Sequence, residues 1–586
     1  MKQFQTTYIS AAQFGDVLEE WREWQLQHEA GQAVIHLLNQ GADRSQIYRA
    51  CDIIRKHMPD ALYLGASASG TLYQGNVSDC LLVVSCTIFE RSDSFARVVQ
   101  IPVLNRDAQG LRDTLSAMKD DFGGVKAAEV ILTIDSLPIR DVCMTLEEMI
   151  PAEVELFGGG AFGDNLNEAY IFCKDQGKCK SGVLLLLLGG PELHVSADCV
   201  MGWKPLGTAM KVTRAKGKTV YDLDEKPAFG IYEHYLRIPK DENIFYNALE
   251  FPFVVEYRGR QLLRHALSSD EYGALEMSTD IPEGSTVHLT YGDPETIFRN
   301  VDECVSQMRE FGPEVIAIFD CFGRKTFWGD AQASKETQPF HRMAPTYGFC
   351  TAGEVLRTDN ILDHHNLTLV VAGMREGGAV DTAGHLRWKE APKSEATMSL
   401  FSRLANFINT ATREVVEANR TLSVMAVTDR LTGLYNRGEI QRLISERVTQ
   451  NARNKDEPLT LVMIDLDDFK KVNDVYGHQE GDEVLRSVSA LLSQSVGGGG
   501  AAAGRWGGEE FMLLLPGYDR EEALKLAEQI RRDVEKLRFD KCGTKTASFG
   551  VAQMNTGENP DQLAVRVDEA LYEAKHRGKN QVVTAE

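Results

Sequence analysis

The chain has no long apolar run. Its longest aliphatic stretch, Val183 to Leu188, falls far short of the ~20 residues that a bilayer-spanning helix needs. The opening Met1-Lys2-Gln3-Phe4-Gln5-Thr6 lacks the apolar core of a signal peptide. Basic residues are in deficit, 63 against 85 acidic, for a net charge of −22, which argues against the basic surface that nucleic acids require. The eleven cysteines follow no C-x-x-C spacing, and Cys173 with Cys179 is an isolated pair, as expected of reduced thiols. No G-x-x-x-x-G-K-[ST] phosphate loop occurs. These absences predict a cytoplasmic protein with no membrane span and no nucleic-acid partner. What is present is length: 586 residues, 43% hydrophobic, enough for about three or four domains.

The densest chemistry lies at Arg505-Trp506-Gly507-Gly508-Glu509-Glu510-Phe511, ahead of the apolar run Met512 to Leu515. Two glycines between strand-like runs predict a tight hairpin turn with positive φ, and without Cβ atoms the backbone can approach a bulky ligand. Taken alone, such a pair reads as readily as a plain turn. Upstream, Leu459 to Asp467 reads as a buried strand ending in carboxylates. Two strands that each deliver an acid to one sheet edge make a Mg²⁺ site, with Asp465 and Glu509 as ligands; Mn²⁺ is the alternative ion. The competing reading of Asp465 is a strand end that caps the next helix.

Five blocks carry a resemblance: Asp429-Arg430-Leu431-Thr432-Gly433-Leu434-Tyr435-Asn436-Arg437, then Met463 to Asp482, Gly507 to Phe511, Ala547 to Ala552, and Ala570 to Asn580. Together they resemble the GGDEF family of bacterial diguanylate cyclases over residues 428–586. The resemblance implies a palm-like α/β nucleotide cyclase domain that condenses two GTP into cyclic di-GMP and two pyrophosphates at a homodimer interface. It assigns the metal to Asp465, the Leu466 carbonyl and Glu509, with Glu509 as proton acceptor or metal-bound helper. Lys470, Lys575 and Lys579 would hold phosphate oxygens, although the family more often has Arg at the last position. Guanine selection falls to Asn473 and Asp482, with Phe469, His478, Leu485, Gly507 and Gly508 lining the substrate pocket. A carboxylate at Asp482 accepts from the guanine N1–H and amino group, where adenine offers a lone pair. Without the resemblance, Asp482 would be an exposed acid in the first turn of a helix Glu480 to Ser495. Many members carry Arg-x-x-Asp shortly before the turn as a product-binding inhibitory site. The matching residues here are Gly498 and Ala501, so that site is expected to be absent.

Residues 397–427 carry a heptad. Phe401, Ile408, Val415 and Leu422 form one seam position, and Leu404, Ala411, Ala418 and Met425 the other, the pattern of a two-stranded coiled coil. The alternative is an amphipathic helix packed on its own domain.

Residues 20–380 alternate apolar runs with helical patterns, which predicts an α/β class. Expected strands are Ala61 to Gly65, Cys80 to Phe89, Glu129 to Ile134, Val183 to Leu188 and Val315 to Phe319. Glycine-dense words at Gly65 to Gly70, Phe157 to Asp164 and Gly348 to Glu354 read as tight turns or as ligand cradles. With Gly202 to Gly207, Pro227-Ala228, Ile231 to Leu236, Phe322-Gly323-Arg324 and His365 to Leu369, these words resemble the FIST sensory family. That implies a small-molecule ligand and a signal-input role, with some relatives being haem proteins that sense nitric oxide; His234 or His194 would then be the iron ligand. The expected organisation is an N-terminal lead (1–20), a FIST N-like domain (21–225), a FIST C-like domain (226–390), the coiled-coil helix and the cyclase domain. Three function classes follow: a ligand-regulated cyclase, a catalytically silent nucleotide-binding scaffold, and a sensor with an incidental enzyme tail.

Overall fold

The computed structural model describes residues 1–104, 107–163, 169–329, 332–378, 400–451, 457–496 and 500–586. The chain divides into two compact units, Met1–Thr412 and Arg413–Glu586.

The first unit contains three six-stranded sheets of one design. The first runs Lys2–Thr7, Leu82–Ile88, Ala33–Asn39, Leu62–Ser67, Ile171–Cys173, Gln176–Cys179. The second runs Phe95–Pro102, Gly182–Gly189, Val125–Leu132, Glu155–Gly160, Glu354–Thr358, Ile361–His365. The third runs Leu193–Val200, Leu369–Glu376, Val315–Cys321, Thr346–Thr351, Thr71–Tyr73, Asn76–Ser78. In each, the two middle strands are parallel and their other neighbours antiparallel. In each, the last two strands are a hairpin supplied by another third of the chain. Residues 71–78 complete the third sheet, 171–179 the first, and 354–365 the second, so the thirds interlock in a cycle.

This arrangement revises two expectations. Residues 1–20 are no lead: Lys2–Thr7 pairs with Leu82–Ile88, and helix Ala11–Gln27 buries Phe14, Leu18 and Trp21 against the first sheet. Nor does the fold separate near residue 225, because hairpin exchange makes one unit of both halves. The inward faces of the three sheets share a core through Val34, Leu64, Ala127, Phe157, Val315 and Phe349. Helices cover the outer faces, for example through Ile47 and Ile54, Val142 and Leu146, and Val301 and Met308.

The glycine-dense words begin inside strands and run into the connections that follow, and within the strands Gly158 and Gly348 lie against a parallel neighbour. A Cβ on Gly348 would lie 1.7 Å from the Ile318 carbonyl oxygen, and one on Gly158 would lie 1.9 Å from that of Val130. Between Leu193–Val200 and helix Pro294–Phe311 lies an inserted subdomain with an eight-stranded sheet and a core of its own.

The second unit is a five-stranded sheet, ordered Ala502–Arg505, Glu510–Pro516, Leu459–Leu466, Ala547–Gln553, Val582–Thr584. One face packs Val462 and Ile464 against Leu485, Val488 and Ile530; the other packs Leu461 and Met463 against Ile440, Val567 and Leu571. Helix Leu400–Val427 contains the boundary between the units. Ala405 is buried and the Asn409 side chain bonds the Gly207 amide and the Pro205 carbonyl, while Leu404, Ile408, Val415 and Met425 of the heptad are exposed. Residues 397–399 lie outside the described residues, as do the side chains of Phe401 and Leu422. No helix among the described residues is long and apolar enough to cross a membrane.

Candidate active site

Strand Leu459–Leu466 is central in its sheet, with Asp465 opposite Glu510 on one side and Ser548 on the other. The Leu466 amide donates to the Glu509 carbonyl at 3.3 Å, which fixes Glu509 at the same sheet end. Helix Pro560–His576 brings Lys575, whose Nζ lies 2.7 Å from Asp465 Oδ2. Burial pushes the Asp465 carboxyl above its ordinary range; the Lys575 contact offsets part of this, while Glu509 and Glu510 add to it. Crowded, half-desolvated acids of this kind suit a hard divalent cation. Two carboxylates and the Leu466 carbonyl leave the rest of an octahedral shell to water and phosphate oxygens. Among the described residues no group of three or more His, Cys, Asp or Glu side chains gathers as a metal cage.

The neighbouring acids are engaged elsewhere. Asp467 accepts from Thr546 Oγ1 and Ser548 Oγ, both at 2.7 Å, and from the Asn580 amide. Asp468, with φ +55°, holds Lys579 at 2.9 Å and Lys471 at 3.1 Å. The hydrogen bond to Asp468 raises the Lys579 pKa. Of the three lysines expected to bind phosphate, Lys575 therefore sits on Asp465, Lys579 sits on Asp468, and Lys470 is exposed.

The two expected guanine readers lie on consecutive helices, Asn473 on Phe469–Tyr476 and Asp482 on His478–Ser495. Asn473 lies so close to Gly481 that a Cβ there would meet Asn473 Oδ1 at 2.1 Å, and Asp482 is the next residue, half-exposed and 3.8 Å from Arg486. The helix begins at His478, two residues earlier than expected, because Gly477 at φ +88° ends helix Phe469–Tyr476 and starts the next. Asp482 thus lies in the second turn. His478 is exposed, whereas Phe469 and Leu485 are buried in the core with Val484 and Val488, beneath the surface expected to line a pocket.

The hairpin forms as expected, with Arg505 opposite Phe511, but its glycines serve another purpose. Neither Gly507 nor Gly508 has positive φ. A Cβ on Gly507 would come 2.6 Å from Glu510 Oε2, whereas one on Gly508 would meet nothing within 4 Å, so the tip faces open space. Arg505, which sequence reasoning passed over, donates to the Gly507 and Gly508 carbonyls and lies 3.2 Å from Asp429. Asp429 in turn accepts from the Thr432 amide and hydroxyl. Residues 497–499, including Gly498, lie outside the described residues; Ala501 is half-buried against the domain core.

In the first unit, His194 and His234 are both exposed. The groove beside His234, about 670 Å³, is open and lined by Lys226, Glu233, Lys240 and Glu271. Phe229, Ile231, Tyr235 and Tyr272 line the same groove.

Residues 426–581 match the family described as diguanylate cyclase, GGDEF domain; residues 32–226 match the FIST N domain and 228–357 the FIST C domain. The chain is a GGDEF-domain protein with FIST N and FIST C domains. Its GGDEF domain is similar to that of Diguanylate cyclase DgcM of Escherichia coli, 42% identical over 157 residues, which is 27% of this chain and 38% of that protein. Diguanylate cyclase VdcA of Vibrio cholerae is 37% identical over 193 residues, 31% of this chain and 54% of that one. The chain thus spans roughly two fifths to a half of the curated relatives it matches. A solved active GGEEF domain of a Vibrio cholerae diguanylate cyclase is 32% identical, covering 26% of this chain and 98% of that one at a TM-score of 0.25. The FIST N and FIST C matches together run through all three interlocked sheets and the inserted subdomain.

Proposed function

We propose that the protein is a diguanylate cyclase that joins two GTP molecules into cyclic di-GMP, with its activity set by a small molecule bound in the FIST unit. The observation that carries this reading is the meeting of Asp465 and Glu509 at one sheet end, joined through the Leu466–Glu509 backbone bond. Asp465, the Leu466 carbonyl and Glu509 would hold Mg²⁺, whose chemistry is to lower the pKa of the attacking 3′-hydroxyl and to neutralise charge on the α-phosphate. Glu509 accepts the hydroxyl proton. Lys575 leaves Asp465 for a phosphate oxygen when substrate enters, an exchange available to a side chain that is one-third exposed at 34%. Asn473 and Asp482 select guanine. Each domain presents one such half-site, so two copies must face each other, and the exposed heptad of helix Leu400–Val427 supports a paired helix that brings them together. Ala501, where the family's inhibitory site has a charge, supports the absence of product feedback at that site.

Incubation of the purified chain with GTP and Mg²⁺ tests the reading. Cyclic di-GMP and pyrophosphate are expected, and both are lost in Asp465→Asn and in Glu509→Gln. No cyclic product from a folded dimer would overturn it.

A further inference from the structure

The exchanged hairpins create a recurring seam. Hairpin residues 171–179 face helix Arg44–His57 across the first sheet, and hairpin residues 354–365 face helix Ile139–Met149 across the second. A cavity lies in each seam. The two helices present the same spacing to it, Ile47 with Cys51 in one and Ile139 with Cys143 in the other.

The contents of the two seams differ. In the second, the inserted subdomain fills the space: Val255, Tyr257 and Leu262 line it, the Arg140 guanidinium stacks over the Tyr257 ring at 5.3 Å, and about 50 Å³ remains. In the first, about 220 Å³ is open, and no residue of the inserted subdomain lines it. Its floor is aromatic: Tyr63, Tyr170 and Phe172 are buried, and Tyr48 stands 59% exposed at the rim. The rim carries Arg44, Arg55, Lys174 and Lys178 beside Asp175 in a chain that is acidic overall. Arg55 pairs with Asp52 at 2.9 Å and Lys174 donates to the Pro59 and Ala61 carbonyls, which leaves Arg44 and Lys178 as the basic groups nearest the mouth. Arg55 Nε donates to Tyr63 Oη at 3.0 Å, and Lys178 Nζ lies 3.6 Å from the Tyr170 ring centroid.

We propose that the open seam between helix Arg44–His57 and the hairpin of residues 171–179 binds a small aromatic carboxylate. The second seam shows the kind of group that fits, an aromatic ring beside a cation. The first repeats the helix spacing, keeps aromatic walls and adds positive charge at the mouth, where a carboxylate gains both ring contacts and charge-assisted hydrogen bonds. The volume admits one ring with a short charged arm and excludes a dinucleotide. Because the hairpin belongs to the second third of the chain and the helix to the first, a ligand here would brace two interlocked parts of the unit. The proposal rests on the reading of this unit as the signal input.

Titration calorimetry on the full chain with benzoate and 4-hydroxybenzoate tests it, with cyclohexanecarboxylate and benzyl alcohol as probes lacking the ring or the charge. Both benzoates are expected to bind one per chain, and each control about tenfold more weakly. Tyr48→Ala and Arg44→Gln, both surface changes, should each weaken benzoate about five- to tenfold, while Tyr257→Ala in the filled seam should not. No binding at millimolar benzoate, equal binding of cyclohexanecarboxylate, or full affinity in Tyr48→Ala would overturn the site. GTP turnover measured with and without added acid separates the two readings. Turnover in either condition without benzoate binding removes the site alone, and benzoate binding with no turnover in either condition removes the cyclase reading alone.

Discussion

Arg505 fastens the tip of the Gly507–Gly508 hairpin to Asp429, a residue 76 positions earlier in the chain. One guanidinium reaches the Gly507 and Gly508 carbonyls and the Asp429 carboxylate together. Burial works against charge on Asp429, but hydrogen bonds from Thr432 and the Arg505 contact outweigh it and hold its carboxyl below the ordinary range. Next to this clamp, Asn436 ties the same turn to the end of helix Leu400–Val427 through the Ala426 and Val427 carbonyls. Arg505→Ala should therefore release the hairpin and cut cyclic di-GMP formation about ten- to a hundredfold, while unfolding free energy changes by about 1 kcal/mol or less. Lysine should not rescue it, since only the planar fork spans three acceptors. Unchanged turnover in Arg505→Ala would show that the hairpin holds its place without the clamp.

Asp482 follows Gly481, whose backbone lies against Asn473, and its carboxylate is 3.8 Å from Arg486. Asp482→Ser should relax the preference for GTP over ATP by about tenfold or more, because the acceptor for the guanine N1–H is gone. Side-by-side turnover of the two nucleotides measures this, and an unaltered ratio would assign guanine selection to other groups.

Leu404, Ile408, Val415 and Met425 of the heptad are exposed, while Ala405 is buried and Asn409 is engaged. The double change Ile408→Asp with Val415→Asp should convert a dimer to a monomer in light scattering and lower turnover at least about tenfold, with fold retained. A monomeric variant with full activity would exclude the helix as the dimer contact.

Glu354 is buried among Thr351, Thr368 and Cys321, and burial raises its pKa to about 7. An acid whose folded pKa exceeds its unfolded value stays protonated in the folded chain while the unfolded chain ionises. Stability should therefore fall as pH rises from about 4.5 to about 7, by an amount on the order of 1–3 kcal/mol. Denaturant unfolding of the first unit at pH 5 and pH 7.5 should show that drop, and Glu354→Gln should flatten it. An equal slope in both proteins would place the titration elsewhere.

The elements of the candidate site were readable in the sequence because they are local: a strand that carries Asp465 near its end, a hairpin at Gly507 and Gly508, a helix that carries Asp482. The expected sheet strands also fell within a few residues of Leu62–Ser67, Leu82–Ile88, Val125–Leu132, Gly182–Gly189 and Val315–Cys321. What was missed depends on distance. The Asp429–Arg505 contact leaves no spacing signal, and the helix start at His478 turned on the backbone of Gly477. Gly158 and Gly348 read as turn glycines, since a strand glycine pressed against a parallel neighbour has the same sequence signature as a turn. The three-part design went unseen because its thirds share little beyond glycine words, and each hairpin pairs with a sheet far from its neighbours in sequence.

That exchange has a consequence for how the protein is made. As the chain leaves the ribosome, the first sheet lacks two strands until residues 171–179 emerge, and the second lacks two until residues 354–365 do. The hairpin of residues 71–78, made early, waits for strand Thr346–Thr351 before it has a partner. Open strand edges persist through most of the synthesis of this unit, a period in which they can pair wrongly with other chains. A fragment cut between the two FIST matches would keep such edges permanently, so neither half alone is a sound vehicle for ligand screening, and a nascent chain stalled before residue 365 is an aggregation hazard rather than a partial sensor.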